Sequence, residues 1–154
     1  MAPSRGGPPP EGCAFVLELP SDLRLIESAV GYLAERLRAY RFDGSRLNLN
    51  FRVGMAEALA NAMIYGNGSD PEKRVRVEVE LSPDEVSVQV HDQGAGFDPA
   101  RVPDPTLPEN LDLGGGRGIF LIRTLMDEVR YNDAGNCVHL VLRRAEPRRR
   151  ASGE

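Results

Sequence analysis

The chain has only two cysteines, Cys13 and Cys137, too few for a disulfide framework and without the paired spacing of a zinc site. No uninterrupted apolar run approaches the ~20 residues that a membrane span needs. The start, Met1-Ala2-Pro3-Ser4-Arg5-Gly6, lacks the apolar stretch of a signal peptide. A cytoplasmic protein with no membrane partner is the expectation. Lysine is almost missing: among 19 Lys and Arg residues only Lys73 is lysine. The net charge of -4 hides a basic end, since the segment from Arg143 to Glu154 holds five Arg and two Glu, so the rest of the chain is more acidic than the total. An acidic body argues against direct nucleic-acid binding. What remains is ordinary for a folded chain, 154 residues with 41% hydrophobic and 27% charged side chains, which fits one compact domain.

Residues 1–12 are rich in Pro and Gly with almost nothing apolar, and are expected to form a disordered arm. The domain is expected over 13–143, with a basic tail at 144–154. Cys13 to Leu19 is a short apolar strand stopped by Pro20, and Ser21 and Asp22 then open a helix. Leu23, Ile26, Val30, Leu33, Leu37 and Tyr40 step by three and four and give that helix one apolar face. A second helix runs from about Arg46 to Tyr65 and stops at Gly66-Asn67-Gly68. Val75, Val77, Val79 and Leu81, then Val86, Val88 and Val90, alternate as two strands joined at Ser82-Pro83-Asp84-Glu85. Gly96 to Gly116 is far longer than an ordinary connection and reads as a lid. A helix over Arg117–Asp127 and a hairpin of Glu128–Asn132 with Cys137–Arg143 complete the chain. This order of elements predicts an α+β fold, a two-layer sandwich in which a mixed, mostly antiparallel sheet carries helices on one face.

Three short constellations can carry chemistry. Glu57 and Asn61, four apart, share a helical face among Ala56, Ala58, Ala60 and Ala62, small residues that let something approach closely. Asp92-Gln93-Gly94-Ala95-Gly96 closes an apolar strand; its glycines admit a close ligand, and Asp92 can accept a hydrogen bond from a ring amine. Gly114-Gly115-Gly116-Arg117-Gly118 opens into a helix, where free amides and the helix dipole favour phosphate and Arg117 adds a guanidinium. Each has a plainer reading alone: an exposed polar pair, a strand-ending turn, a hinge. His91 and His139 stand apart without ligand spacing, so metal binding by histidine is not expected. Met55 and Met63 read as core filler.

Together, Glu57-x-x-x-Asn61, Asp92-x-Gly94-x-Gly96 and Gly114-x-Gly116-x-Gly118 resemble the three boxes of the GHKL ATP-binding superfamily. The strings EALANAMIYGN, HDQGAGFDP and GGGRGIFLIRTLMDEVRY resemble, more narrowly, the anti-sigma-factor serine-protein kinases. The resemblance covers about residues 14–143 and implies a Bergerat-type ATP-binding fold. It further implies ATP and Mg²⁺ as cofactors, with Asn61 on Mg²⁺, Glu57 as general base toward a substrate serine, and Asp92 on the adenine amino group. Gly94 and Gly96 would pass under the base, and Gly114, Gly115, Gly116, Arg117 and Gly118 would cradle the phosphates. Asn136 stands where the family often has a threonine near that Asp. The implied partners are a sigma factor and a small anti-sigma-factor antagonist phosphorylated on serine, in a homodimer. Without a phosphoacceptor-histidine helix pair before the ATP region, a histidine kinase is not expected. A non-catalytic ATP-binding module that gates a regulatory partner is the alternative.

Overall fold

The computed structural model describes residues 13–95 and 115–144, with the side chains of 115–119 set aside. The expected arm, the expected lid up to residue 114 and the tail from 145 onward lie outside the described residues.

Apolar and polar residues alternate in the strands, and the chain uses the alternation to bury one face of a five-stranded sheet. Strand β1 (Cys13–Pro20) pairs with β2 (Arg74–Leu81), β2 with β3 (Glu85–His91), β3 with β5 (Cys137–Arg143), and β5 with β4 (Glu128–Tyr131). All four pairings are antiparallel, so the mixed component of the expectation is not seen among the described residues. The register lines up Leu17, Val77, Val90, Val138 and Tyr131 in one row across the sheet. Positions one residue off this row face the other side, where Glu18, Arg76 and Glu78 form exposed ion pairs of small energetic weight.

Helices cover the apolar face. A single 3₁₀ turn at Leu23–Leu25, with Asp22 capping the Arg24 N–H, leads into α1 (Ile26–Ala39). Its buried stripe is Ala29, Val30, Leu33, Ala34 and Leu37; of the apolar positions the spacing marks, Val30, Leu33 and Leu37 are buried, Ile26 and Tyr40 are partly buried, and Leu23, in the 3₁₀ turn before the helix, is exposed. The second helical run covers the expected span but is less regular than the sequence implies. A wide π-helical turn at Arg46–Phe51 precedes α2 (Arg52–Asn61), and a second one at Ala62–Gly66 follows it. These turns widen the helix next to its polar residues, a place where π geometry is common at functional sites. Helix α2 lies between α1 and α3 (Gly115–Leu125), and all three share one core with the sheet.

Helix α3 is held at its C-terminal end. Asn50 Nδ2 donates to the Leu125 carbonyl at 2.7 Å, and the Met126 side chain fills a notch that a Cβ at Gly54 would occupy. Asp127 then accepts from the Arg143 N–H at 2.6 Å and from Arg46 at 3.1 Å.

Candidate functional site

Asn61 closes α2 and is 6% exposed. Its Nδ2 has no hydrogen-bond partner, the sole buried side-chain nitrogen or oxygen among the described residues in that state. A buried amide without a partner costs about 1–3 kcal/mol, so its N–H is open to an acceptor from outside the protein. Glu57, one turn earlier, is half-buried on the same helical face. Of the alanines read from the sequence as a sign of close approach, Ala58 and Ala62 join Asn61, Val90, Asp92, Tyr131, Gly135, Cys137 and Val138 around a small recess of about 10 Å³, and Ala56 and Ala60 do not. That is room for about one water.

Asp92 stands opposite, just past the end of β3. Its backbone N–H donates to the Asn136 carbonyl at 2.9 Å, continuing the ladder between β3 and β5 by one rung. Its carboxylate accepts from the Gly94 N–H at 2.9 Å. Burial raises its pKa above the ordinary carboxylate value, against the Gly94 N–H and the nearby His91 and Lys73, which pull the other way. The loop carrying it nests on Gly66, at the end of the π-helical turn Ala62–Gly66 that prolongs the end of α2. A Cβ at Gly94 would overlap the Gly66 carbonyl oxygen and come within 2.6 Å of its carbon, and a Cβ at Gly66 would overlap the Asp92 carboxylate. Glycine at both positions is therefore a requirement of close approach.

Asn136 points its side chain to its own turn. It does not line the recess: Gly135 and Cys137 on either side do, while its own Oδ1 accepts from Asn132 Nδ2 at 2.8 Å. Its contact with the site is the backbone carbonyl on Asp92. Asn132 Oδ1 also collects the N–H groups of Gly135, Asn136 and Cys137, which makes the turn self-contained. The glycine run differs in detail. Gly115, Gly116, Arg117 and Gly118 form the first turn of α3 instead of a loop before it, and the first N–H groups of a helix have no partner within it. Gly96 and Gly114 lie outside the described residues, as does the side chain of Arg117.

Two groups in this region had no signal in the sequence. Tyr131 forms part of the recess wall, its hydroxyl pKa raised by burial against the opposing Arg123 charge. Cys137 has its thiol pKa raised by burial and by Glu78 and Asp92, which keeps it a protonated wall residue. Period and composition carry no information on which side chains a sheet row brings to a helix end.

The recess thus gathers the buried Asn61 amide from the end of α2 and the Asp92 carboxylate from the end of β3. The family model described as histidine kinase-like ATPase domain matches residues 19–142, so the chain belongs to that family. Among curated relatives, an anti-sigma F factor of Oceanobacillus iheyensis is 33% identical over 78 residues, 49% of this chain and 53% of the relative. An anti-sigma F factor of Clostridium perfringens (strain SM101) is 28% identical over 99 residues, 62% of this chain and 70% of the relative. The serine-protein kinase RsbW of Listeria innocua is 29% identical over 93 residues, 56% and 59% respectively. The chain thus spans between about half and 70% of the length of these relatives.

Proposed function

We propose that this chain binds Mg-ATP at the recess and acts as an anti-sigma factor and protein-serine kinase, sequestering a sigma factor and phosphorylating a serine on a small antagonist protein. The observation that carries the reading is the buried Asn61 amide, unpartnered and facing the same recess as Asp92, with Glu57 one turn away. The names of the relatives, anti-sigma F factor and serine-protein kinase, support the choice among the activities that this fold can host.

Asp92 accepts the adenine amino group. Asn61 would hold Mg²⁺ through its amide oxygen, the hard neutral ligand that this ion takes alongside phosphate and water. The ion would supply neutralisation of the charge that develops on the phosphates. The first turn of α3 supplies amide N–H groups to the phosphates. Glu57 takes the proton of the serine hydroxyl as its oxygen forms a bond to the γ-phosphorus and the bond to ADP breaks. A sigma factor, an antagonist, a homodimeric state and a cytoplasmic setting belong to the same reading.

Affinity capture with the full chain in Mg-ATP and in Mg-ADP, followed by phosphosite mapping, tests it. A co-purifying sigma factor and a small protein that gains phosphoserine only with ATP are the expected results. Captured partners without new phosphoserine would leave a nucleotide-gated binding module, and no affinity for adenine nucleotide would overturn both.

A further inference from the structure

We propose that Asn67 is a positioning residue for the nucleotide site, whose side-chain amide fixes the Asp92–Gly94 loop on the end of α2 and so sets where the Asp92 carboxylate stands. The proposal rests on the reading of Asp92 as the adenine acceptor.

Asn67 is 2% exposed. Its Oδ1 accepts from the Gln93 N–H at 2.7 Å. Its Nδ2 donates to Ser21 Oγ at 2.7 Å and to the Arg74 carbonyl at 3.1 Å. Its backbone N–H donates to the Ala62 carbonyl at 2.8 Å and closes the π-helical turn. Both amide hydrogens and the oxygen are in use, the full donor capacity of the side chain. One amide therefore joins the segment before α1, the end of α2, the start of β2 and the loop after β3. Ser21 Oγ passes the network on to the Lys73 carbonyl at 2.9 Å.

The position of Asn67 in this network gives it a role beyond general stability. Gln93 follows Asp92 directly, and Gly66, which the Asp92 carboxylate abuts, precedes Asn67 directly. The carboxylate is bounded by the Gly94 N–H on one side and the Gly66 backbone on the other. Asn67 holds both of these backbone segments at once. Without it, Asp92 keeps its bond to Gly94, but the loop loses the side-chain bond that seats it against Gly66. The Gln93 side chain contributes a second tie, Oε1 accepting from the Arg74 N–H at 2.6 Å, yet that tie anchors the loop to β2 and leaves α2 out.

The experiment compares Asn67→Ala with Ser21→Ala in the full chain. Both break the Asn67–Ser21 bond of one network; only the first also frees the Gln93 N–H. Melting temperature and equilibrium affinity for Mg-ATP and Mg-GTP are measured, the affinities well below the lower melting temperature. Asn67→Ala is expected to lose about tenfold or more in ATP affinity and to narrow the ATP-to-GTP ratio, while Ser21→Ala melts lower but stays within about threefold of wild-type affinity. Asn67→Asp, which keeps an oxygen for the Gln93 N–H, is expected to regain most of the ATP affinity. Equal losses in the two alanine variants, or unchanged affinity in Asn67→Ala, overturn the proposal. If Asn67→Ala does not fold, Asn67→Ser, too short to reach Gln93, takes its place in the comparison. If wild type binds ATP, Asp92→Asn is impaired and Asn67→Ala is not, the role of Asn67 alone falls. If wild type has no affinity for ATP, the nucleotide reading falls and takes this proposal with it.

Discussion

The backbone N–H of Asp92 is held by the carbonyl oxygen of Asn136 at 2.9 Å, while the Asn136 side chain turns away to Asn132. The strand end that presents Asp92 is thus fixed by main chain, which any residue at 136 provides. Asn136→Ala should keep ATP affinity within about threefold of wild type. It should cost no more than about 1 kcal/mol of stability, the worth of one exposed hydrogen bond. Calorimetric titration with Mg-ATP checks this, and a large loss of affinity would return the Asn136 side chain to the nucleotide.

Asp92→Asn should separate binding from stability. The folded-state pKa of Asp92 is raised by burial, so the native chain holds this proton more tightly than the unfolded chain does. Between the unfolded and folded pKa values the native state binds more protons, and the contribution of Asp92 to stability falls as pH rises. At neutral pH its ionised form is a penalty that asparagine removes. The variant should therefore be at least as stable as wild type at pH 7, with the difference shrinking as pH falls through the carboxylate range, and should bind ATP at least about tenfold more weakly. Urea melts across pH 3 to 7 read the first effect. A wild type that is the more stable at pH 7, and loses that advantage on acidification, would reverse the sign assigned to burial.

Glu57→Gln keeps the size and the half-buried position of the side chain but removes the base. Phosphoserine formation on the antagonist should drop by roughly 10² or more, the usual worth of a positioned base, with ATP affinity nearly unchanged. Transfer at the wild-type rate would exclude Glu57 from that role.

Gly94→Ala forces a methyl group into the Gly66 carbonyl. Overpacking of this kind costs about 1–3 kcal/mol, and the steric partner here is backbone, which cannot swing aside. A melting temperature lowered by several degrees is expected, together with weaker ATP binding as the loop lifts. A variant that melts with wild type would mean that the loop and the end of α2 are not in contact in solution.

Much of the architecture is written locally. The two-residue alternation of Val75 to Leu81 and Val86 to Val90 and the three-and-four spacing of Val30, Leu33 and Leu37 specify which face is buried, because each period belongs to one backbone geometry, whereas Leu23 on the same spacing is left exposed in the turn before the helix. Asn61 and Asp92 were legible as candidates for the same reason: a polar residue set among small and apolar neighbours, and a carboxylate at the end of a buried strand, conflict with their surroundings. The bounds shifted where turns took over, as with α3 starting at Gly115 instead of Arg117, and the sheet settled as antiparallel at every described pairing.

Asn67 shows where local reading stops. Between two glycines it looks like the end of a helix, which it is, yet its side chain bonds residues 46 positions before it and 26 after it. The direction of Asn136, the Gly54 notch filled by Met126 and the nesting of Gly94 on Gly66 are of the same kind. The sequence by itself determined the elements, their buried faces and the residue types able to meet a nucleotide, since those follow from backbone period and side-chain chemistry. Only the tertiary structure decided which of these residues share a recess and which backbone groups hold them there, because such contacts depend on how the strand register and the helix ends meet in space.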